Sequence, residues 1–176
     1  YDDCDRIMQS VVALTPPDKL GILPIERAFM HLEKSAELGP LREAIETQLT
    51  AHQLDGDHAT ETQMMLALWS HDAAAISQIL SNNHEAIGWN GVVYPDAWFE
   101  AIAARIRGDD DVAAKAFAKA RPEMEKYVAA APTQGLQLSV LAMIDAGLGQ
   151  KDKAVEEGKR ACDLTPFKQN NFDATT

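Results

Sequence analysis

Gly149-Gln150-Lys151-Asp152-Lys153-Ala154-Val155-Glu156-Glu157-Gly158-Lys159-Arg160-Ala161-Cys162-Asp163-Leu164-Thr165-Pro166 is the stretch that decides the fold. The glycine permits a left-handed exit from a preceding helix, and the polar residues after it form a turn. Ala154 and Ala161, seven residues apart, share one face of the next helix, and Pro166 ends it. The opening segment, Tyr1 to Pro16, can be laid on Lys151 to Pro166 without gaps. Both finish in Leu-Thr-Pro, both carry acid near the start, and Cys4 and Val11 stand where the second copy has Ala154 and Ala161. A chain that opens and closes on the same half-motif reads as a piece of a helical repeat array. Such arrays are usually surfaces for holding something, without chemistry of their own.

Working inward, helical periodicity covers nearly the whole chain. The first helix spans about 2–14 and stops at Thr15-Pro16-Pro17. Pro24 suits the first turn of a helix running to about Leu38, and Gly39-Pro40 is expected to cap it and start the returning helix of Leu41, Ala44, Ile45 and Leu49. Leu54-Asp55-Gly56-Asp57 breaks the chain before a helix from about His58 to Trp69. Ser70-His71-Asp72 then turns into Ala73–Leu80. From Ser81 to Val93 the rhythm stops, and the turn-rich residues there are expected to form an irregular loop. Helix resumes at Tyr94-Pro95-Asp96 and runs to Arg107. Gly108-Asp109-Asp110-Asp111 ends it and caps a long helix that Pro122 is expected to kink or divide. Leu136–Leu148, a Gly149-Gln150 turn and Asp152–Leu164 close the chain before a polar tail, 167–176. The reading gives helix hairpins at 22–53, 57–83, 94–131 and 134–166, with 1–16 as a lone second helix whose apolar face lacks its neighbour.

Turn residues Gly39, His71, Gly108 and Gly149 follow one another at about 32, 37 and 41 residues. A small residue follows each glycine at one offset (Ala44, Ala113, Ala154) and another seven later (Ala51, Ala120, Ala161). Small side chains are needed where paired helices cross most closely. With Phe117 at an aromatic place in the copy that starts at Gly108, the pattern resembles the tetratricopeptide repeat. Ile76 in an alanine slot and the scarcity of the first-helix Trp and Tyr depart from it. The closing phrase is similar to C-terminal tetratricopeptide arrays of bacterial multidomain regulators. The resemblance implies an all-α, right-handed superhelix of about four to five hairpins, serving as a scaffolding or signalling segment of a larger bacterial protein. It also implies a concave groove lined by the first helix of each hairpin. Mapped onto this chain, that wall carries Glu26, Phe29 and Glu33, then Trp98, Ile102 and Arg105, then Ser139 and Met143.

Composition agrees with packed helices. Hydrophobic residues make up 46% of the 176, which excludes a disordered chain, while aromatics at 6% and abundant alanine disfavour a β-sandwich. The net charge of −11 repels phosphate backbones and disfavours nucleic acid, and it attracts basic partners. Cys4 and Cys162 lie in equivalent elements at opposite ends, among small or apolar residues, where a thiol serves as a small hydrophobe. This fits a reducing, cytoplasmic setting without fixing the compartment. No apolar run reaches the length of a membrane span.

Chemistry is hard to place. Neither Gly-x-x-x-x-Gly-Lys nor Gly-x-Gly-x-x-Gly nor His-Glu-x-x-His occurs, and no Ser or Cys sits in a nucleophile motif. His84-Glu85 is the best acid–base or metal candidate, but reads first as an exposed loop pair. Asp55-Gly56-Asp57-His58 lacks the alternating acids of a calcium loop and reads as a helix cap, as does Asp109-Asp110-Asp111. Trp69, Trp89, Tyr94, Trp98 and Phe99 bunch around 81–99, either as core filler or as a recognition patch. The expectation is a non-catalytic scaffold without cofactor or metal that binds a protein or peptide. The alternatives are a spacer that self-associates through exposed end helices, and an enzyme with its site near 81–93.

Overall fold

The computed structural model describes residues 2–54, 56–83, 85–89 and 91–165. Among the described residues it is mostly helical, with one small β-hairpin. The chain divides into two compact units, Tyr1–Asp72 and Ala73–Thr176.

The first unit holds α1 (Asp2–Leu14), a 3-10 turn (Pro17–Lys19), α2 (Leu23–Ser35), α3 (Gly39–Thr50) and α4 (Gly56–Trp69). Each helix packs on the next. Its centre is Ile25, Ala28, Leu41 and Ile45, with Phe29, Leu32, Leu38 and Leu66 packed around them. Each buried Leu or Ile contributes about 1.5–3 kcal/mol by leaving water. The α2–α3 connection differs from expectation. Ala36, not Gly39, takes the left-handed conformation (φ 57°) and donates its N–H to Leu32 O at 2.7 Å; Gly39 opens α3. Leaving the helix there turns Leu38 back against the core, which outweighs the steric cost at an alanine. The cap expected at 55–58 involves Asp55 and the Asp57 side chain, which lie outside the described residues.

The second unit holds α5 (Ala73–Asn82), β1 (Ile87–Trp89), β2 (Val92–Tyr94), α6 (Asp96–Arg107), α7 (Asp110–Ala130), α8 (Gly135–Gly147) and α9 (Lys151–Leu164). The expected hairpin 57–83 thus has its two helices in different units. Within this unit α5 packs on α6, α6 on α7, α7 on α8 and α8 on α9, the last pairing being the most extensive. The segment expected to be an irregular loop instead forms an antiparallel ribbon pairing Ile87 with Tyr94, Gly88 with Val93 and Trp89 with Val92. Asn90-Gly91 is the residue pair that two-residue hairpin turns favour, and Gly91 has φ 75°. Buried Ile87 and Val92 anchor the ribbon, so the all-helical expectation is corrected at this point.

Pro122 neither divides nor ends α7, which runs unbroken for 21 residues. Proline removes one backbone bond, but Ala116, Phe117 and Ala120 before it and Met124 after it are all buried and keep both halves in place. The aspartates after Gly108 do not cap through their side chains. Asp109 stands at the N-cap with its carboxylate 3.3 Å from Arg107 Nε, and Asp110 and Asp111 lie in the first turn, where they complement the helix dipole. Cys4 and Cys162 are exposed free thiols, contrary to the small-hydrophobe reading, because each faces away from its helix's packed side.

Four helices end with one hydrogen-bond pattern. At His52, His71, Gly108 and Gly149 the left-handed residue bonds three positions back and its successor five back, as in Asp109 N–H to Ala104 O (2.9 Å) and Gln150 N–H to Asp145 O (2.9 Å). Glycine fills this position in the second unit and histidine in the first.

Candidate functional site

Of the residues expected to line a groove, Ser139 and Met143 share an open one. Helix α8 contributes Ser139, Ala142, Met143 and Ala146, and α9 contributes Lys151, Ala154, Val155 and Gly158, around a largely apolar groove of about 440 Å³. Each helix supplies one i, i+3, i+4, i+7 face, so the floor is made of small side chains and the walls of Met143 and Val155. Both wall residues are about half exposed, at 47% and 49%. Ser139 is occupied locally, its hydroxyl donating to Leu136 O at 2.6 Å.

The other candidates are placed differently. Trp98 keeps only 8% of its surface and stands edge-on to Phe99 at 5.1 Å, with Tyr94 at 5.0 Å. The Trp89–Tyr94 stack at 4.4 Å completes the packing, which covers the ribbon and α6 and leaves Trp98 little surface for a ligand. Trp98 Nε1 is buried without a hydrogen-bond partner among the described residues. Ile102 is half-buried. Arg105 is exposed, its guanidinium 5.6 Å from the Phe117 ring centroid and 3.5 Å from Gly147 O. In the first unit, Glu26 and Glu33 are exposed on α2, while Phe29 is half-buried edge-on to Trp69 at 5.1 Å. His84 lies outside the described residues; Glu85 is exposed.

Aligning Gly108 with Gly149 explains the groove. Its residues Ala142, Ala154 and Gly158 correspond to Ala101, Ala113 and Phe117, all buried. In the α6–α7 pair, Phe117 and Arg105 reach α8 at Gly147, so tightly that a Cβ there would sit 2.5 Å from the Phe117 ring. What α8 covers on the earlier pair is open on the α8–α9 pair.

A charged cluster on three helices was not found from the sequence. Asp145 on α8 is fully buried, and Arg121 on α7 grips both its oxygens (Nε–Oδ1 2.6 Å, Nη2–Oδ2 3.3 Å). Lys153 on α9 approaches Oδ2 at 3.2 Å, and Glu125 takes Arg121 Nη1 at 2.7 Å. Burial opposes the charge on Arg121, but its bonds to Asp145 and Glu125 prevail and raise its affinity for the proton. Glu157, 3.9 Å from Lys153, is pushed up to about 7 by burial first and then by Asp145. The signal that was available is an acid, Asp145, inside the apolar run Leu136–Leu148.

The first unit has a more polar cleft of about 370 Å³ involving Val12, Arg27, His31, Glu43 and Gln48. Its arginine is already paired, Arg27 Nε lying 2.8 Å from Asp5 Oδ1, and this bond holds the Asp5 carboxyl below its usual range. Among the described residues no group of three or more His, Cys, Asp or Glu could hold a metal ion, and no helix is long and apolar enough to cross a membrane. Comparison with known proteins finds no match to a family model, to a curated protein or to a solved structure.

Proposed function

We propose that the chain is a helical-repeat scaffold of the tetratricopeptide kind that binds a protein or peptide, without catalysis, as part of a larger regulatory protein. The observation carrying this reading is the open apolar groove between α8 and α9, which contains the expected Ser139 and Met143. Its counterpart on α6 and α7 is covered by a helix, so the best-fitting ligand is a helix with a narrow apolar stripe. The shared left-handed exits at Gly108 and Gly149, and the burial of Ala113, Ala120 and Ala161, support the repeat reading. The acidic surface favours ligands with basic flanks.

A display library of helical peptides tests it. Selected peptides should lose at least about tenfold in affinity to Met143→Glu/Val155→Glu and keep it toward Ala118→Glu on exposed α7 surface. Selection of no peptide that responds to the groove variants would remove the reading.

A second reading, self-association, is favoured by α1, where Ile7, Val11 and Leu14 form an exposed apolar stripe (62%, 39% and 85%). Sedimentation should then show concentration-dependent dimers that Ile7→Glu/Leu14→Glu abolishes.

A further inference from the structure

We infer that the Asp145–Glu157 carboxyl pair is a proton-operated clamp that holds α9 onto α7 and α8. Asp145 is fully buried, and its charge is already balanced by Arg121 at 2.6 Å and Lys153 at 3.2 Å. Glu157 adds a third carboxyl group to this site, after Glu125. Its Oε2 is buried and receives no hydrogen bond from the described residues, while its neighbour is a carboxylate, which has no proton to give. A proton on Glu157 Oε2 resolves this, because the O–H donates to Asp145 and satisfies the orphaned oxygen. Two carboxylates gathered on one ammonium, with Lys153 Nζ 3.2 Å from Asp145 Oδ2 and 3.9 Å from Glu157 Oε1, cannot both ionise without cost.

Among the described residues, the charges around the pair come from three helices. Arg121 and Glu125 face it from α7, Asp145 stands on α8, and Lys153 precedes Glu157 by one turn on α9. With Glu157 protonated these five side chains sum to neutrality. Loss of the proton to water leaves one uncompensated negative charge and breaks the Glu157–Asp145 bond.

The fold does not require carboxylates here. Under the Gly108–Gly149 alignment, Asp145 and Glu157 occupy the places of Ala104 and Ala116, both buried between helices of the preceding pair. Two alanines pack that position with no pH dependence. The same architecture with an acid pair gains a joint that responds to protons.

The sign follows from linkage. The folded state holds the Glu157 proton up to about pH 7, against an ordinary 4.5. The stabilising contribution is therefore complete below pH 4.5 and falls as pH rises toward and through 7. Since α9 also forms a wall of the groove, its release disturbs that surface whatever the groove binds.

Carboxyl-carbon NMR on the intact chain should show Glu157 titrating near pH 7; a midpoint within about half a unit of 4.5 overturns the inference. Hydrogen exchange supplies a second readout, with intrinsic rates corrected. Protection of α9 amides should fall by about tenfold between pH 6 and pH 8, and Glu157→Gln, which puts an amide N–H donor in place of the carboxyl O–H and cannot ionise, should abolish the fall. Unchanged protection in the wild type, or an equal fall in Glu157→Gln, overturns it. The titration needs no variant, so a Gln variant that failed to fold would leave the test intact.

Discussion

The two units solve the same packing problem with different side chains. In the first, helices meet through branched residues, Ile25, Leu41 and Ile45, and its left-handed exits fall on Ala36, His52 and His71. In the second, alanines carry the crossings, the exits fall on Gly108 and Gly149, and Gly135 and Gly147 let helices approach where any Cβ would clash. Ion pairs divide likewise. Arg27–Asp5 is open to water, whereas Arg121–Asp145 is closed off from it. Close backbones exclude water, and excluded water turns a surface ion pair into a strongly coupled one. Regularity and buried charge thus have one cause in the second unit, and their absence has one cause in the first.

The largest way to test this contrast is to remove one acid from each unit. Asp145→Ala should cost up to about 3–5 kcal/mol, because Arg121 and Lys153 both lose a fully buried partner and Arg121 keeps only the half-exposed Glu125. Asp5→Ala should be far milder, because water already screens that pair. Urea unfolding followed by fluorescence reads both, with Trp69 reporting the first unit and Trp89 and Trp98 the second. Equal losses would erase the distinction.

Close packing is tested next. Gly135→Ala places a Cβ 2.1 Å from Thr165 Oγ1 and 2.4 Å from Ala161 O, so it should destabilise by about 1–3 kcal/mol. Gly39→Ala meets nothing within 4 Å and should change stability by less than about 1 kcal/mol, in the favourable direction. Thermal unfolding distinguishes these outcomes.

Acid and base should also act oppositely on the two pairs. Asp5 titrates below its ordinary 3.8, so its contribution is present above that value and lost as pH falls further. Glu157 behaves in the reverse sense, losing its contribution as pH rises through about 7. Amide exchange of α1 and of α9 across pH 3–8 should therefore move in opposite directions.

The smallest expected effect lies at the helix exits. His71→Gly should stabilise the first unit by about 0.5–1 kcal/mol by removing the left-handed penalty of a side chain. Gly108→Ala, at φ 80°, should cost about 1 kcal/mol in the second.

Most of the helical plan was legible because it rests on short-range rules. Apolar period, Pro24 and Pro40 in first turns, and the glycines at 108 and 149 placed the helices within a few residues. The misses came where a distant partner decides. Ala36 leaves its helix early because Leu38 is needed in a core built from other helices. The ribbon at 87–94 carried an Asn-Gly turn signal, yet three-residue strands become visible only once buried Ile87 and Val92 anchor them.

The site divided the same way. Ser139 and Met143 came from laying the resembled repeat on α8, and the structure places both beside one groove. Arg121, Asp145, Lys153 and Glu157 come from three helices, and no local rule brings them together. The sequence by itself determined that the chain is helical, where its turns fall and which faces carry small residues, because these depend on backbone preference and side-chain size within one or two turns. Only the tertiary structure decided which acids lose water, which tryptophan is covered and which apolar face stays open. Burial is a property of the neighbours a residue acquires, and those neighbours lie tens of residues away along the chain.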